Sequence, residues 1–442
     1  MSFFTKNVWG QTIDLSDTYG TLTNYVWGTR NTGALPTYKR TLKETDTSSG
    51  DLYGESVAIG CGRIVVGAPS HDSSLTNTGA AYIYDYFSST RIAKLEPGSY
   101  AKQYQYFGKS VAIGDGMILV GAPGASFQTA DHPHYGKVHV YDLDGTSLFD
   151  IDPPALQNSS KFGSVVAIGC GVIAVGEVAW DGSSGNSDGI MHLFDYTGTL
   201  ITTINPPTAA SYNNFPSDIS IGHGKIVVGH QFHDTTTNEV GIVYIFDLRG
   251  NLIKSILASD GGQNDKFGAS VSIGSGKIVV GSPGWDGSSA TAAGAVYIYD
   301  MYGNKESKIY TRIGSIYHGH SVAVKHGRIL VGCDSLNTNT SVIEGRVMIL
   351  DTDVPPGTSA SDTHSSVIDF IDPNDTTNYP ELDNDDADQE FGWSVAVGDG
   401  LMVIGERKGE SGTSGISGGA VRVYGTEYAY TVEDAIDLSV RS

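Results

Sequence analysis

A pattern of short apolar runs separated by glycine recurs along the chain. The segment YGESVAIGCGRIVVGAP begins at Tyr53, and the related segments FGKSVAIGDGMILVGAP and FGASVSIGSGKIVVGSP begin at Phe107 and Phe267. Each holds two runs of β-branched and aliphatic residues around a turn that ends in glycine. Runs of this kind, bounded by Gly, Asn, Asp, Ser and Pro, predict β-strands, and no stretch shows the helical period.

Seven copies of this segment align along the chain. The glycines that end the turn between the two runs are Gly62, Gly116, Gly171, Gly224, Gly276, Gly327 and Gly400. Each copy is followed by a third run, such as GAAYIYD from Gly79, and by a fourth, such as RIAKL from Arg91. Runs such as IVV are apolar on both faces, so each four-stranded sheet should pack between two others. The pattern predicts an all-β fold, a seven-bladed β-propeller of four-stranded antiparallel blades.

The ring needs a strand to close it, because the chain is nearly finished after the seventh GAVRVY. The segment Thr41 to Gly54 matches Ser255 to Gly268 in length and position relative to the next repeat. We therefore expect an N-terminal strand near Tyr38 to Glu44 to be the outer strand of blade seven. The run YAYTV, Tyr428 to Val432, is the alternative.

The remaining segments divide the chain into three parts. Residues 1–36 are predicted to be an N-terminal attachment segment, since Trp9 and Trp27 lie in a stretch too short to build its own core. Residues 37–425 form the propeller, with an acidic insertion at 352–390 between blades six and seven that we expect to be a solvated loop. Residues 426–442 form a C-terminal tail.

These residues resemble the FG-GAP repeat family, which includes the integrin α-subunit propellers. Phe-Gly or Tyr-Gly opens five copies, and Gly-Ala-Pro or Gly-Ser-Pro closes three. The resemblance implies a propeller used for recognition. Integrin-like repeats carry an Asp-rich calcium loop between the first two strands, whereas here a glycine-ended hairpin turn occupies that place. The chain is therefore similar to the short, calcium-free variant of microbial and viral proteins, and we predict no metal site and no cofactor.

Charge and cysteine content limit the classes of partner that the chain can bind and bear on its redox environment. The chain has 49 acidic and 27 basic residues, a formal net charge of −22, so nucleic acid and anionic lipid should be repelled. No run is long enough for a membrane helix, and the N-terminus lacks the pattern of a signal peptide. Cys61, Cys170 and Cys333 lie in separate repeats, which predicts three free thiols.

Candidate binding residues lie in the loops between the second and third strands. Trp180-Asp181 and Trp285-Asp286 occupy equivalent positions in blades three and five. A tryptophan beside polar residues suits a sugar or protein contact, although such a turn could also be encoded by the repeat, with its indole packed on the adjacent blade. His132, His134, His230 and His233 are predicted on the same face. Metal-ligand spacing is absent, so they are interpreted as surface residues of a ligand-binding face.

No catalytic residue is predicted, because the many Gly-x-Gly turns connect strands and no nucleophile motif occurs. Carboxylate pairs such as Asp372 with Asp375 lie in the acidic insertion. We expect a non-enzymatic recognition or structural protein. A phage virion component, such as a tail, fibre or decoration protein, fits synthesis in the cytoplasm without a signal peptide and exposure on a virion or extracellular surface. Its partners would be other virion or surface proteins, a host glycan or a receptor. The alternatives are a bacterial surface adhesin or carbohydrate-binding propeller, and a propeller hydrolase or lyase.

Overall fold

The structure of the chain is a computed structural model. It describes residues 5–8, 11–14, 36–48, 50–73, 75–98, 102–125, 135–157, 160–179, 188–208, 215–234, 239–287, 292–311, 317–333, 336–337, 342–343, 345–354, 359–361, 367–371, 390–407 and 418–425. No helix in this part of the chain is long and apolar enough to cross a membrane.

Seven antiparallel sheets form the blades, and each has four strands in the order expected from its repeat. The first strands are Ser56–Gly60, Ser110–Gly114, Phe162–Gly169, Asp218–Gly222, Ser270–Gly274, His318–Lys325 and Phe391–Gly398. The second strands are Arg63–Ala68, Met117–Ala122, Val172–Glu177, Lys225–His230, Lys277–Ser282, Arg328–Cys333 and Leu401–Glu406. The third strands are Ala80–Asp85, Lys137–Asp142, Ile190–Phe194, Ile242–Asp247, Ala295–Asp300, Arg346–Asp351 and Ala420–Gly425. The outer, fourth strands are Arg91–Leu95, Ser147–Ile151, Leu200–Ile204, Leu252–Ile256, Lys305–Tyr310, Val367–Ile371 and, for blade 7, Thr37–Leu42.

The blades close into a ring around a central axis. The first strands of neighbouring blades contact one another in succession, and that of blade 7 contacts that of blade 1. The core lies between blades: Val65 and Ile83 of blade 1 pack with Ile118 and Val120 of blade 2, and all four are fully buried. The predicted seven-bladed propeller is confirmed.

The hairpin between the first two strands is the predicted two-residue turn. In blade 1, Cys61 has a φ of 52° and Gly62 a φ of 72°. Two successive positive φ angles define the turn whose twist matches antiparallel strands, and glycine adopts the second at little cost. The other six blades repeat this geometry.

Contacts between neighbouring blades explain why most repeats begin with an aromatic residue and glycine and have a glycine near the end of the second strand. A Cβ atom on Gly67, near the end of the second strand of blade 1, would lie 2.0 Å from the carbonyl oxygen of Gly108 in blade 2. The hydroxyl of Ser56 donates a hydrogen bond of 2.9 Å to that same carbonyl. The aromatic ring of Phe107 beside it is fully buried. The repeat motif is therefore an inter-blade contact built on backbone proximity.

At the junction between blades 3 and 4, both residues of this contact are replaced. Val165 in blade 3 replaces the serine, and Pro216 in blade 4 replaces the glycine whose carbonyl the serine would reach. The ring of Pro216 instead packs on Gly176, where an added Cβ would lie 2.7 Å from the Cγ atom of Pro216. An apolar contact thus replaces the serine–carbonyl hydrogen bond at this junction.

The N-terminal strand closes blade 7 as predicted. Thr37–Leu42 pairs antiparallel with Ala420–Gly425, and Leu42 is buried with Val421 of the paired strand. Tyr428 to Val432, the alternative, lies outside the described residues. After the closing strand, Glu44 binds Arg91 at 2.5 Å and thereby ties this segment to blade 1.

The acidic insertion differs from the predicted loop. It contributes the outer strand of blade 6, Val367–Ile371, and a short strand, Ser359–Ser361, that pairs in parallel with the outer strand of blade 5. Ile371, the last residue of the outer strand, is fully buried with Ile349 of the third strand. The surrounding Asp, Ser and Thr residues obscured this strand in the sequence. Asp372 and Asp375 lie outside the described residues.

Two further hairpins lie outside the blades, Thr5–Val8 with Gln11–Asp14 and Leu336–Asn337 with Val342–Ile343. By contacts, the chain divides into one unit of Leu35–Thr426, which is the propeller, and another of Met1–Ala34 with Glu427–Ser442. The three cysteines form no disulfide bond with one another.

Candidate recognition face

The loops between second and third strands all emerge on one side of the ring, which we call the loop face. Each first strand starts at this face and ends at the x-Gly hairpin, and each second strand returns to it. The x-Gly hairpins and the turns between third and fourth strands lie on the opposite face. Loops on a rigid scaffold are the usual carriers of binding, so the loop face is the candidate recognition surface.

The described parts of these loops share one backbone arrangement. In blade 5, the N–H of Trp285 donates to the carbonyl of Ser282 at 3.2 Å, and the carbonyl of Trp285 accepts from the N–H of Gly294 at 3.0 Å. The equivalent residues His71, Ala125 and His233 make the same two bonds. The backbone therefore anchors the loops of blades 1, 2, 4 and 5, while the side chain at this position varies among them.

Asp286 closes the loop that follows Trp285. Its Oδ1 atom accepts a hydrogen bond of 2.6 Å from the N–H of Ala292. Asp72 and Asp234 do the same for the N–H groups of Asn77 and Glu239. The aspartate of the Trp-Asp-Gly sequence is thus a turn residue of the repeat, as in the packing alternative considered from the sequence.

The rings of Trp285 and Tyr297 both contact the ammonium group of a lysine. The Nζ atom of Lys308 lies 3.4 Å from the centre of the Trp285 ring and 4.8 Å from that of Tyr297. It also binds the Oδ2 atom of Asp260 at 2.5 Å. Burial lowers the pKa of the Lys308 ammonium, against the opposing effect of Asp260. Trp285 is only half-buried, and its ring stabilises a cation of the blade by cation–π attraction.

Blade 1 uses a histidine at the same position. His71 is buried, with Nδ1 2.8 Å from the Oδ2 atom of Asp51 and Nε2 2.9 Å from the Nζ atom of Lys94. Lys94 in turn pairs with Asp46 at 2.7 Å, as Lys308 pairs with its own aspartate in blade 5. In both blades the variable side chain holds the lysine of the outer strand.

His230 and His233 do not lie on an exposed surface, contrary to the prediction. His230 is fully buried and His233 is 6% exposed. Their rings lie 5.4 Å apart, and His230 packs at 5.4 Å on Phe215, which opens blade 4. Burial lowers the pKa of His233. Histidine at these repeat positions fills the space between strands and loop, which a single sequence could not distinguish from exposure.

The other predicted site residues lie outside the described residues. These are Trp180, Asp181, His132 and His134 in the loops of blades 3 and 2, and Trp9 and Trp27 in the N-terminal segment. Their roles in binding and attachment stay predictions.

Two buried pairs of hydrogen-bonded side chains lie beneath the loop face, where the sequence predicted none. The Nε2 atom of His192 lies 2.8 Å from the Oε2 atom of Glu177 in blade 3, and the Nε atom of Arg422 donates to Glu406 at 3.0 Å in blade 7. All four side chains are less than a tenth exposed. Cross-strand register could have indicated these pairs, since each pair joins the end of a second strand to the third strand beside it.

Replacing His318 with phenylalanine should stabilise the protein in acid relative to the parent. Burial, and then the charge of Arg346, lowers the pKa of His318 to about 3, whereas an unfolded histidine titrates near about 6.5. A folded-state pKa below the unfolded one gives stability that is complete above the unfolded value and is lost as the pH falls towards 3. Phenylalanine has no such loss, so the variant should gain about 2 kcal/mol on the parent between pH 8 and pH 5.

Urea unfolding at both pH values measures this difference. The ring at this position opens the repeat, and the equivalent Phe267 and Phe391 are fully buried, so phenylalanine fits the site. His223→Asn, at an exposed turn, is the control for removing an imidazole. A pH-independent difference for His318→Phe would contradict the prediction.

An open depression of about 680 Å³ lies on the loop face across blades 4 to 6. Its lining includes Phe232, Asn264, Lys266, Tyr317 and His320. The positive φ angles of Asn264, Lys266 and Tyr317 recur before the opening aromatic of other blades, so they belong to the repeat and are no sign of a site. The lining combines aromatic rings, side-chain amides and a cation, which suits a polar ligand or a protein surface.

A cluster at the seam between blades 7 and 1 adjoins this depression through His320. The ring of His320 lies 4.2 Å from that of Trp393, and the guanidinium of Arg407 lies 3.1 Å from the centre of the indole. Arg407 also binds Glu55 at 3.1 Å and forms an ion pair with Glu390. Sequence reasoning missed Trp393, because it stands inside the repeat motif and not in a variable loop.

The seam cluster holds its charges in pairs. Burial alone would raise the pKa of the Glu55 carboxyl, but the charges of Lys109 and Arg407 hold it below its usual value. Glu55 of blade 1 therefore joins blade 7 to blade 2 through charge-assisted hydrogen bonds.

Metal ligands do not converge in the described part of the chain, where no group of three or more His, Cys, Asp or Glu residues could hold an ion. The first hairpins have two turn residues each and cannot supply the six or more oxygen ligands of calcium.

The geometry defines the class first: a seven-bladed propeller whose blades are joined by glycine contacts and whose loops share one face. The model of the FG-GAP repeat matches residues 38–84 and 251–299. These two matches, in a chain folded as a seven-bladed ring, are consistent with an FG-GAP repeat β-propeller. No curated protein matches the chain.

Proposed function

We propose that this chain is a non-enzymatic recognition and structural module of a phage virion, a tail, fibre or decoration protein that binds its partner with the loop face. The FG-GAP propeller fold supports a recognition role. A rigid ring with variable loops on one side is the arrangement that binding scaffolds use. The virion setting rests on the composition of the sequence, which is rich in Gly, Ser, Thr, Asn and Tyr, as in proteins of exposed surfaces.

The depression across blades 4 to 6 is the observation that carries this proposal. Its lining residues come from blades 4, 5 and 6 and the loops between them. Tyr317 is 41% exposed there, and the Nζ atom of Lys266 lies 5.6 Å from the ring of Phe232. Exposed aromatic rings beside a cation and side-chain amides are the features of protein hot spots and of sugar-binding surfaces.

The lining also favours a second function, a surface adhesin or other carbohydrate-binding propeller. Gln231, Gln263 and Asn264 supply paired donors and acceptors in the depression that Tyr317 also lines. Such amides can bind the hydroxyl pairs of a sugar while the ring packs on its apolar face. A protein partner and a glycan therefore compete for the same site, and binding experiments separate them.

The test replaces the aromatic and imidazole groups of the depression and measures binding. Tyr317→Ala combined with His320→Ala should weaken attachment at least about tenfold, because central aromatic contacts are worth about 2 kcal/mol each. Two assays are needed: rebinding of the purified chain to virions assembled without it, and binding to a glycan array. Tyr302→Ala removes a tyrosine that is 75% exposed in a turn on the opposite face and is the matched control.

The outcomes separate the candidate functions. Loss of virion rebinding alone supports the structural role, and loss of glycan binding alone supports the adhesin. If Tyr317→Ala/His320→Ala binds as well as the control Tyr302→Ala in both assays, the assignment of the loop face is contradicted. Cleavage of an array glycan by the purified parent would replace recognition with a hydrolase or lyase activity.

A further inference from the structure

The outer edge of one blade is covered by an additional strand of the same chain. Ser359–Ser361 pairs in parallel with Lys305–Tyr310, so blade 5 has five strands. The register joins Lys308 to Ser359 and Tyr310 to Ser361. An outer strand of this propeller can therefore accept a further strand while the ring stays closed.

The outer strands of blades 2, 3 and 4 present apolar side chains to solvent. Leu148 is 49% exposed in blade 2, Leu200 and Ile201 are 41% and 44% exposed in blade 3, and Leu252 and Ile253 are 46% and 54% exposed in blade 4. We call these five residues the flank belt. They occupy the beginnings of their strands, near the x-Gly face, and are separate from the loop face.

The covered blade has charges where the uncovered blades have the flank belt. By register, Lys305 replaces Leu252 and Leu200, and Glu306 follows Lys305 as Ile253 follows Leu252. Glu306 pairs with Lys277 at 2.6 Å. Blade 1 likewise begins its outer strand with Arg91, which pairs with Glu44.

An exposed outer strand with apolar residues is a template for pairing. Soluble proteins usually protect such edges with charge, proline or a covering segment. Among the described residues, no strand pairs with the outer edges of blades 2 to 4. In the part of the chain that the structure describes, three successive blades thus have apolar edges without a covering strand, while the blade beside them has both a covering strand and charges.

Net charge decides between the two simplest occupants. A second copy would bring another chain of formal net charge −22 against the first, and like charges oppose such association. A partner of neutral or basic charge would not be repelled. Strand addition at a sheet edge also gains backbone hydrogen bonds, with specificity from alternate side chains.

We propose that the outer edges of blades 2 to 4 bind an extended strand of another protein, one that is neutral or basic and has apolar side chains at alternate positions. The strand continues the blade through backbone pairing and buries the flank belt. This surface is additional to the loop face, so the propeller would contact two partners at once.

The experiment uses the full chain and a short fluorescent peptide that alternates Ile or Val with Thr between terminal lysines. Fluorescence anisotropy measures binding of this peptide and of a version N-methylated at alternate residues, which keeps the side chains but cannot pair along one edge. The double variant Ile201→Lys/Ile253→Lys should weaken peptide binding at least about tenfold. Phe87→Lys, at an aromatic residue that is 80% exposed in a turn of blade 1, is the control for added charge.

Two further readouts keep the result interpretable. Thermal unfolding shows whether the double variant is folded, and hydrogen exchange in residues 200–204 and 252–256 should slow when the parent binds the peptide. Equal binding of the N-methylated peptide, or unchanged binding by the double variant, would overturn the proposal. A concentration-dependent dimer of the parent that the double variant abolishes would also overturn it, because the occupant would then be a second copy.

Discussion

Replacing Gly281 with alanine should destabilise the propeller by about 3 kcal/mol or more, since overpacking against rigid backbone is costly. The new Cβ would lie 2.0 Å from the carbonyl oxygen of Gly319 in blade 6 and 2.4 Å from the hydroxyl of Ser270. The two blades would have to separate, and the hydrogen bond from that hydroxyl to the carbonyl, 2.9 Å long, would be lost. Urea unfolding of parent and variant measures the change in the free energy of unfolding.

Gly276→Ala is the matched control in the same blade. Gly276 has a φ of 74° in the x-Gly turn, and a Cβ atom added there would have no neighbouring atom within 4 Å. Alanine there meets only the cost of a left-handed conformation, about 1 kcal/mol. If the two variants lose equal stability, the repeat glycines act through backbone conformation and the proposed inter-blade contact is wrong.

Removing the closing strand should open the ring. Deletion of residues 1–36 should leave the propeller folded, whereas deletion of residues 1–42 removes Thr37–Leu42 and its pairing with Ala420–Gly425. The loss includes the buried side chain of Leu42 and several backbone hydrogen bonds. We expect the longer deletion to cost about 5 kcal/mol or more, from about 2 kcal/mol for the leucine and about 1 kcal/mol for each bond.

A peptide of residues 36–42, added in trans, should restore stability to the longer deletion. The truncated chain keeps Glu44 and Asp46, whose ion pairs with Arg91 and Lys94 hold the segment after the missing strand on blade 1. Calorimetry with and without the peptide measures the rescue, and the same peptide with Leu42→Ala should rescue less. Equal melting temperatures for the two deletions would show that another segment closes blade 7.

The fold could be predicted because its determinants repeat within each blade. The x-Gly turns follow from local backbone geometry, the opening aromatic and the closing glycine follow from the contact between neighbouring blades, and seven copies made the ring evident. The closing strand followed from the length of Thr41 to Gly54 compared with Ser255 to Gly268. The strands of the acidic insertion were missed, because they stand among loop-forming residues and because Ser359–Ser361 pairs with a strand of the preceding blade.

The candidate site was less predictable, since the type of a residue does not show whether its side chain is buried. His230 resembled a surface residue and is buried beneath the loop. Trp285 is half-buried beside Lys308. Lys308 reaches this place because strand register pairs it with Tyr297. Trp393 was hidden in the repeat, and its neighbours His320 and Arg407 come from different strands. These groups meet through register and ring closure, which a single sequence does not encode locally.

Cross-linking mass spectrometry of the native assembly tests recognition by the loop face most directly. An amine-reactive linker should join other proteins to Lys161 and Lys266, which precede the opening aromatics of blades 3 and 5 on that face. Lys225 and Lys325 flank x-Gly turns on the opposite face and should be linked much less often. Links to other proteins from the loop-face lysines would agree with the proposed function. Links confined to Lys225 and Lys325 would show that the partner binds the opposite face and would contradict it.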